Sequence, residues 1–254
     1  MSLRFHEISE ESHRILNPFT EEKLILLGDV CDLQAGMRQL DLACGKGEML
    51  CRWAGRYGLT GTGVDISEVF LQAARERAQE LGVADKVSFV QGDAGAYPQN
   101  EHAFDIVSCI GATWIGSGLV GTLELMKRAL NDKGGLLLVG EPYWIDPPPE
   151  EALEAFSELK EGFETKDLFV SLEGTLDRFE QVGLDLVEMV LADLDSWDRY
   201  EASQWTSAGN WLRDHPDDPD AAALREWINE NRRIYLRYGR RYLGWGVFVL
   251  RLTQ

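Results

Sequence analysis

An acidic residue inside an apolar segment, followed by a glycine turn, is the pattern in this sequence with the clearest chemical meaning. Residues 39–48 read Gln-Leu-Asp-Leu-Ala-Cys-Gly-Lys-Gly-Glu, with Asp41 in the apolar run and Gly45 and Gly47 in the turn. A carboxylate in an apolar strand is costly unless a partner needs it, and glycine lets the backbone pass close to a ligand. The spacing predicts a pocket for a small cofactor with an amino-acid-like headgroup.

Three further groups follow the ends of later predicted strands. Asp65 ends the second strand, where an acid can accept both hydrogen bonds of a ribose diol. Gly92-Asp93-Ala94 follows the third strand, where an acid can accept from an adenine amino group and small residues admit the ring. The bend at Ile110-Gly111 follows the fourth and could form the floor of a site. Because open α/β sheets bind ligands at the carboxyl ends of their strands, all four groups are expected in one site.

The elements that would position these groups alternate along the chain from residue 39 onward. Strands are predicted at 39–44, 60–65, 86–90, 104–110 and 135–140. Ser67 is expected to cap a helix that ends at Gly82, and another helix is expected over 121–130. Residues 1 to about 35 are predicted to be helical, with Thr20 as an N-cap. Strands separated by helical crossovers indicate a parallel sheet with helices on both faces.

The second half of the chain departs from this simple alternation. The proline-rich stretch 141–149 is predicted to be a rigid loop just past a strand. Later elements are expected to be helices at 150–163 and 172–182, and strands at 184–191 and 244–251. The intervening stretch 195–243 is helical in character and dense in Trp, Tyr and Arg, so it is expected to pack on something rather than to be a solvated linker.

Leu40-Asp-Leu-Ala-Cys-Gly-Lys-Gly47 resembles the first motif of the class I S-adenosylmethionine-dependent methyltransferases. Gly63-Val-Asp65 is similar to the second motif, residues 92–94 to the third, and Phe104-Asp105 onward to the fourth. The resemblance is specific over roughly 35–140. It implies an α/β fold: a Rossmann-like seven-stranded sheet with helices on both faces, its last strand antiparallel, with N-terminal helices and a helical insertion before that strand.

This resemblance also implies how the chain is organised. We expect a single methyltransferase domain over 1–254. Its parts would be an N-terminal helical cap (1–35), a Rossmann-like core (36–194 and 244–254) and a helical insertion or lid (195–243).

S-adenosylmethionine is the cofactor that the resemblance implies. The glycine turn would hold the methionine portion with Asp41 near its amino group, Asp65 would hold the ribose hydroxyls, and Asp93 with Ala94 the adenine. The expected cofactor-binding residues are Asp41, Ala43, Gly45, Gly47, Asp65, Ile66, Gly92, Asp93, Ala94, Ile110 and Gly111.

Four residues are candidates for contact with the methyl acceptor. His13 lies in a segment that could cover the pocket mouth, where it would touch substrate or act as a base, although a lone histidine is more often structural. Trp114 and Tyr143 follow the fourth and fifth strands and are expected to face the site, with a core or lid role as the alternative. Glu141 is a further substrate candidate, and His13 and Tyr143 are the catalytic candidates.

The arginines near the C-terminal end of the chain allow two interpretations. Guanidinium groups could grip an anionic group of a substrate, but salt bridges to the acidic body or a subunit contact are favoured. The six residues are Arg225, Arg232, Arg233, Arg237, Arg240 and Arg241.

Charge and composition restrict the class of protein. The formal net charge of −18 argues against broad binding to nucleic acid. The apolar runs are too short to span a bilayer, and four cysteines without a Cys-x-x-Cys pair are typical of a reduced, cytoplasmic protein. No metal site is expected, and the chain is expected to be a monomer or a homodimer.

A nicotinamide-dependent enzyme is the main alternative for the glycine turn. The dinucleotide fingerprint needs a third glycine three residues after the second, and Leu50 stands there. The sequence therefore favours transfer of a methyl group from S-adenosylmethionine to a small-molecule acceptor by in-line displacement. A non-catalytic S-adenosylmethionine-binding scaffold and a protein methyltransferase remain alternatives, and the acceptor atom stays open.

Overall fold

A seven-stranded sheet organises the part of the chain that the computed structural model describes, which is residues 2–97, 102–131, 134–159 and 169–253. The strand order is β3-β2-β1-β4-β5-β7-β6. Strands β1 to β5 are mutually parallel, and β7 is antiparallel to both β5 and β6. The strands are β1 (Arg38–Leu42), β2 (Thr60–Asp65), β3 (Val87–Gln91), β4 (Ile106–Ile110), β5 (Leu136–Trp144), β6 (Leu184–Leu191) and β7 (Leu243–Leu252).

Helices connect these strands and precede the first of them. Their bounds are α1 (Leu3–Ser9), α2 (Glu21–Val30), α3 (Glu48–Arg56), α4 (Glu68–Glu80), α5 (Leu119–Lys127), α6 (Glu150–Leu159), α7 (Leu172–Gln181), α8 (Leu194–Asp214), α9 (Ala221–Ile234) and the short α10 (Arg240–Tyr242), which follows a π-helical turn at Tyr235–Gly239. None of the helices within the described ranges is long and apolar enough to cross a membrane.

Local sequence explains where two of these helices begin. The Thr20 hydroxyl accepts a hydrogen bond from the Lys23 amide at 3.3 Å, and the Ser67 hydroxyl accepts from the Phe70 amide at 3.1 Å. Each side chain satisfies one of the free amides of a first helical turn. The predicted N-caps are confirmed.

The predicted fold class is also confirmed. The sheet carries apolar clusters on its two faces, one built around Trp53, Ile106 and Trp245 and another around Leu40, Phe179 and Phe248. Helices α1 and α2 precede β1, and α8 to α10 lie between β6 and β7. Strand order reverses between β1 and β4, which creates the crevice where open α/β sheets bind ligands.

The prediction of a loop over 141–149 is wrong in its first part, because β5 continues to Trp144. Pro142 pairs with Trp245 on β7, whereas β4 ends at Ile110, opposite Gly140. The Trp144 amide donates to the Val170 carbonyl, away from β7, and backbone groups two residues apart in a strand point the same way. The missing N–H of Pro142 therefore faces past the end of β4, where proline costs no ladder hydrogen bond.

Other predicted bounds differ by a few residues from those of the structure. The helix predicted over 121–130 spans Leu119–Lys127, and the one over 172–182 spans Leu172–Gln181. The helix predicted over 150–163 is present as Glu150–Leu159, and its part at 160–163 lies outside the described residues.

Candidate active site

A cavity of about 950 Å³ opens at the carboxyl ends of the parallel strands. Its lining includes nine of the eleven expected cofactor residues. These are Asp41, Ala43, Gly45, Asp65, Ile66, Asp93, Ala94, Ile110 and Gly111. Gly47 and Gly92 belong to the same turns but do not line the cavity.

Asp41 is the most buried of the expected carboxylates, with 3% of its surface exposed. Its Oδ1 accepts a hydrogen bond from the Ser108 hydroxyl at 2.7 Å. Burial raises the pKa of Asp41 to about 7, the Ser108 hydrogen bond opposes the rise, and the neighbouring charge of Asp65 adds to it. A cationic amino group placed beside Asp41 would supply the counter-charge that this carboxylate lacks.

Asp65 is fixed from two sides by backbone amides. Its Oδ2 accepts from the Gly45 amide and its Oδ1 from the Ser67 amide, both at 2.8 Å. Burial raises the pKa of Asp65, and these amide hydrogen bonds hold the rise back. Each carboxylate oxygen can still accept from a ligand hydroxyl, so the side chain fits a diol.

The end of β3 contributes an acid and a small residue. Asp93 is exposed, and its Oδ1 accepts from the Gly95 amide at 2.8 Å. Ala94 is buried beside it, and Ile66, on the adjoining loop after β2, is 61% exposed at the rim of the cavity. This arrangement leaves one oxygen of Asp93 for a ligand amino group, beside the apolar side chains of Ala94 and Ile66.

The turn after β1 has a left-handed backbone at alternate residues. Ala43, Gly45 and Gly47 have φ angles of 56°, 54° and 66°. A Cβ at Gly45 would lie 2.6 Å from Leu16 Cδ1, and one at Gly47 would lie 2.7 Å from Phe89 Cε1. The missing Cβ atoms therefore leave space for the side chains of Leu16 and Phe89. From the sequence, this space was expected to hold a ligand.

Ala43 was expected at the site, but its strained backbone was not foreseen. A left-handed φ is unfavourable for a residue with a Cβ, and such strain is concentrated at functional sites. The residue type carries no signal for it, since alanine, unlike glycine, does not indicate a left-handed backbone.

The segment before α2 lies across the strand ends. The Asn17 side-chain amide donates to the Ile110 carbonyl at 3.3 Å. The ammonium group of Lys46 donates to the carbonyl oxygens of Glu10, Glu11 and His13 at 2.8, 2.9 and 2.7 Å. The N-terminal segment thus closes the cavity above the glycine turn.

His13 belongs to this closing segment and does not line the cavity. Its Nδ1 is 2.5 Å from Glu10 Oε2, its Nε2 is hydrogen-bonded to the Ser203 hydroxyl, and its ring stacks on Tyr200 at 5.0 Å between centroids. Because both ring nitrogens are engaged, the structure favours the structural interpretation of His13 over that of a base.

The expectation that Tyr143 faces the site is wrong. Its ring packs at 6.5 Å from Phe248 and belongs to the apolar cluster on the other face of the sheet, away from the cavity. Side chains alternate between faces along a strand, so Tyr143 lies on the opposite face from its neighbour Pro142, which lines the cavity.

Trp114 and Glu141, the remaining substrate candidates, both line the cavity. Trp114 is 54% exposed, on the 3₁₀ turn Thr113–Gly116 that follows β4. Glu141 is buried, and its Oε2 accepts from the Thr113 hydroxyl at 2.8 Å.

Away from the strand ends, the cavity continues into a part that we call the helical half. It is lined by Phe156, Phe169, Trp197, Glu201, Trp227, Ile234, Tyr235, Leu243, Trp245 and Val247. The six arginines considered above are absent from the lining of the described cavity. Arg240 pairs with Asp198, and Arg232 lies over the Trp205 ring, in agreement with the favoured interpretation of salt bridging and packing.

One face of α8 supplies polar and aromatic groups to the cavity. Trp197, Tyr200, Glu201 and Gln204 all line it, at the spacing expected for one helical face. Burial first, and then the nearby charge of Glu10, raise the pKa of Glu201 to about 8. Sequence reasoning missed Glu201, although an acid between aromatic residues on the inward face of a helix was the available signal.

A second residue missed from the sequence is Glu10, which joins the N-terminal segment to α8. Its side chain is fully buried. One oxygen accepts from the Tyr200 hydroxyl and the Gln204 amide, each at 2.7 Å, and the other contacts His13.

Comparison with known proteins agrees with this geometry. A family model described as a methyltransferase domain matches residues 33–204. The chain belongs to this methyltransferase family. Its resemblance to the class I S-adenosylmethionine-dependent methyltransferases is thereby confirmed.

Similar proteins cover nearly the whole chain. The uncharacterized protein YjhP of Escherichia coli K12 is 46% identical over 248 residues, which is 97% of each chain. A solved S-adenosylmethionine-dependent methyltransferase of Geobacter sulfurreducens, in complex with S-adenosylhomocysteine, is 46% identical over 98% of both chains with a TM-score of 0.89. The corresponding complex from Thiobacillus denitrificans is 44% identical over 98% of both chains with a TM-score of 0.88.

Proposed function

We propose that this protein transfers the methyl group of S-adenosylmethionine to a small-molecule acceptor by in-line displacement. The observation that carries the proposal is a single cavity that joins acidic strand ends to an aromatic helical half. The two parts provide adjoining space for a nucleoside-containing cofactor and for an acceptor.

Chain residues fit each portion of the cofactor. Asp41, short of a counter-charge, would bind the amino group of the methionine portion. The two oxygens of Asp65 would accept from the ribose hydroxyls, and Asp93, above Ala94, from the adenine amino group. The backbone at Ile110 and Gly111 would bound the site from below.

When bound, the cofactor supplies an electrophilic methyl group. The chain then has to hold the acceptor in line, keep water out and remove a proton where the acceptor atom carries one. The covering segment fastened by Lys46 and the aromatic surface of α8 and α9 serve the first two tasks.

A small acceptor suits the enclosure of the helical half. Residues of α8, α9 and the N-terminal segment line the cavity on several sides, as in clefts for small ligands, whereas a protein or nucleic-acid substrate needs an open groove for its chain. The net charge of −18 would also repel nucleic acid. We propose in addition that the protein acts in the cytoplasm.

Two measurements test this function. Isothermal titration calorimetry should give one S-adenosylhomocysteine site per chain. Incubation with methyl-labelled cofactor and a metabolite extract should place label in a small molecule. No affinity for S-adenosylhomocysteine would refute the cofactor site. Affinity without any labelled product would favour the scaffold, and label confined to protein would favour a protein methyltransferase.

A further inference from the structure

Glu201 is a carboxylate in the helical half without a partner of its own. Among the described residues, no donor or cation forms a hydrogen bond or ion pair with it. The neighbouring acids differ in this respect. Glu10 accepts hydrogen bonds from Tyr200 and Gln204 and contacts His13. Asp198 accepts hydrogen bonds from Arg240 at 3.0 Å and from the Tyr235 hydroxyl at 2.7 Å.

Burial and one neighbouring acid disfavour the ionised form of Glu201 in the free protein. Burial raises its pKa to about 8, and Glu10, facing it from the N-terminal segment, acts in the same direction. From the turn after α9, the Tyr235 hydroxyl donates to Asp198. Burial first, then Asp198 and after it the charge of Glu201, raise the pKa of Tyr235. A ligand that brings its own positive charge would supply the partner that the described residues do not.

Aromatic residues line the same cavity as Glu201. Trp197 and Tyr235 line the cavity with Glu201, as do Trp227 and Trp245. Aromatic faces attract an alkyl- or arylammonium ion, more strongly where water is excluded. Their apolar surface would hold the carbon skeleton of the ligand.

Cationic side chains of the described lining are already engaged elsewhere. Arg14 pairs with Glu80 at 3.3 Å, and Lys46 is held by three backbone carbonyls. No lysine or arginine of the described chain enters the helical half. An anionic acceptor would therefore find no compensating positive charge in this half, whereas a cation could pair with the ionised Glu201, so the electrostatics favour a cation.

We infer that the methyl acceptor is a lipophilic amine, bound as its ammonium ion between the Glu201 carboxylate and the aromatic rings of the helical half. This inference rests on the proposed function, whose acceptor class it names. Glu201 would then take one N–H proton onto a carboxylate oxygen, and the electron pair of the broken N–H bond would stay on nitrogen. Nitrogen thereby becomes the neutral nucleophile that methyl transfer requires.

Calorimetry at pH 7 tests the inference with three matched probes. Phenethylamine is positively charged, 2-phenylethanol is its neutral counterpart, and 3-phenylpropanoate is anionic. Each is titrated into the S-adenosylhomocysteine complex of the wild type, Glu201→Gln and Glu226→Gln. Glu226 is an exposed residue of α9, so it serves as the control for loss of one acidic charge.

The wild type and Glu226→Gln should bind phenethylamine about tenfold or more tightly than 2-phenylethanol, and the anion least. Glu201→Gln should lose this preference while binding S-adenosylhomocysteine as the wild type does. Titration in buffers of different ionisation enthalpy should show proton release when the wild type binds the amine, because Glu201 ionises, and none in Glu201→Gln.

Three results would overturn the inference: equal binding of the amine and the alcohol, no binding of the amine, or an unchanged amine preference in Glu201→Gln. Failure of the wild type to bind S-adenosylhomocysteine would instead refute the proposed function. The amine titration, repeated without S-adenosylhomocysteine, would then decide separately whether Glu201 binds an ammonium ion.

Discussion

The Asp65 carboxylate accepts a hydrogen bond from the Gly45 amide at 2.8 Å, which ties the end of β2 to the turn that follows β1. Its second oxygen accepts from the Ser67 amide at the start of α4, also at 2.8 Å. Asp65 therefore shapes the site as well as facing it. The sequence suggested a ligand-binding acid, and this hydrogen bonding adds a structural role for the same side chain.

Replacing Asp65 by alanine should have two effects. Loss of both backbone hydrogen bonds leaves buried amides without acceptors and should lower the free energy of unfolding by about 1–3 kcal/mol. Loss of the carboxylate that accepts from the ribose hydroxyls should weaken the binding of S-adenosylhomocysteine about tenfold or more. Urea unfolding and calorimetry measure the two effects, with the exposed Asp85→Ala as control. An unchanged affinity would show that the ribose lies elsewhere.

Asp41→Asn should stabilise the free protein at alkaline pH and weaken the cofactor site. The pKa of Asp41 is about 7 in the folded protein against an ordinary 3.8, so the folded state binds more protons between these values. The free energy of unfolding of the wild type therefore falls as the pH rises from about 3.8 to about 7, and it stays at the lower value at higher pH. The variant lacks this loss, and at pH 8 its free energy of unfolding should be higher by on the order of 1 kcal/mol or more.

Denaturation at pH 4 and pH 8 checks this sign, since the advantage of Asp41→Asn should vanish at the lower pH. Affinity of the wild type for S-adenosylhomocysteine should rise with pH up to about 7 as Asp41 ionises, and the variant should lack this dependence. If the stability difference between Asp41→Asn and the wild type is the same at pH 8 as at pH 4, the pKa of Asp41 is not raised in the folded protein.

The sheet and the acidic strand ends were predictable from the sequence because both depend on local patterns. Alternating strands and helices set the topology, and the acids at Asp41, Asp65 and Asp93 follow strands whose carboxyl ends meet at one edge. The extension of β5 through Pro142 was missed, since proline normally argues against a strand. Only the pairing of the strands shows that, among the described residues, β4 ends before Pro142 and loses no ladder hydrogen bond to it.

Long-range packing determined the rest of the site. His13 and Glu201 depend on how the N-terminal segment meets α8, nearly 190 residues later, and nothing local specifies that contact. The destination of Tyr143 was missed for a related reason: the loop prediction removed the strand alternation that would have distinguished the two faces.

Glu48→Gln should destabilise the protein while the matched Glu80→Gln should not. Glu48 is 5% exposed and accepts from Arg52 Nε at 2.5 Å and from Arg77 Nε and Nη2 at 2.7 and 2.8 Å. Burial would raise the pKa of Glu48, but the two guanidinium groups outweigh it and lower the pKa. Removing this charge leaves Arg77 poorly compensated and should cost about 2–3 kcal/mol.

Glu80 also contacts Arg77, at 2.9 Å, but its side chain is half exposed. Glu80→Gln should therefore change the free energy of unfolding much less than Glu48→Gln does. Urea denaturation at pH 7 compares the two variants. If both variants lower the free energy of unfolding equally, the burial of Glu48 between α3 and α4 does not determine how much it stabilises the protein.

Tyr200→Phe should loosen the N-terminal segment over the site. The Tyr200 hydroxyl donates to Glu10 Oε1 at 2.7 Å and lies 3.2 Å from the Leu16 carbonyl, so it joins α8 to the segment that covers Gly45. The loss should cost about 1 kcal/mol and speed amide hydrogen exchange over 2–17. If that segment covers the bound cofactor, S-adenosylhomocysteine should also dissociate faster, as stopped-flow measurement would show.

The control is Tyr238→Phe, whose hydroxyl makes no hydrogen bond to the described residues. Unchanged exchange over 2–17 in Tyr200→Phe would mean that other contacts, such as those of Lys46, hold the segment in place.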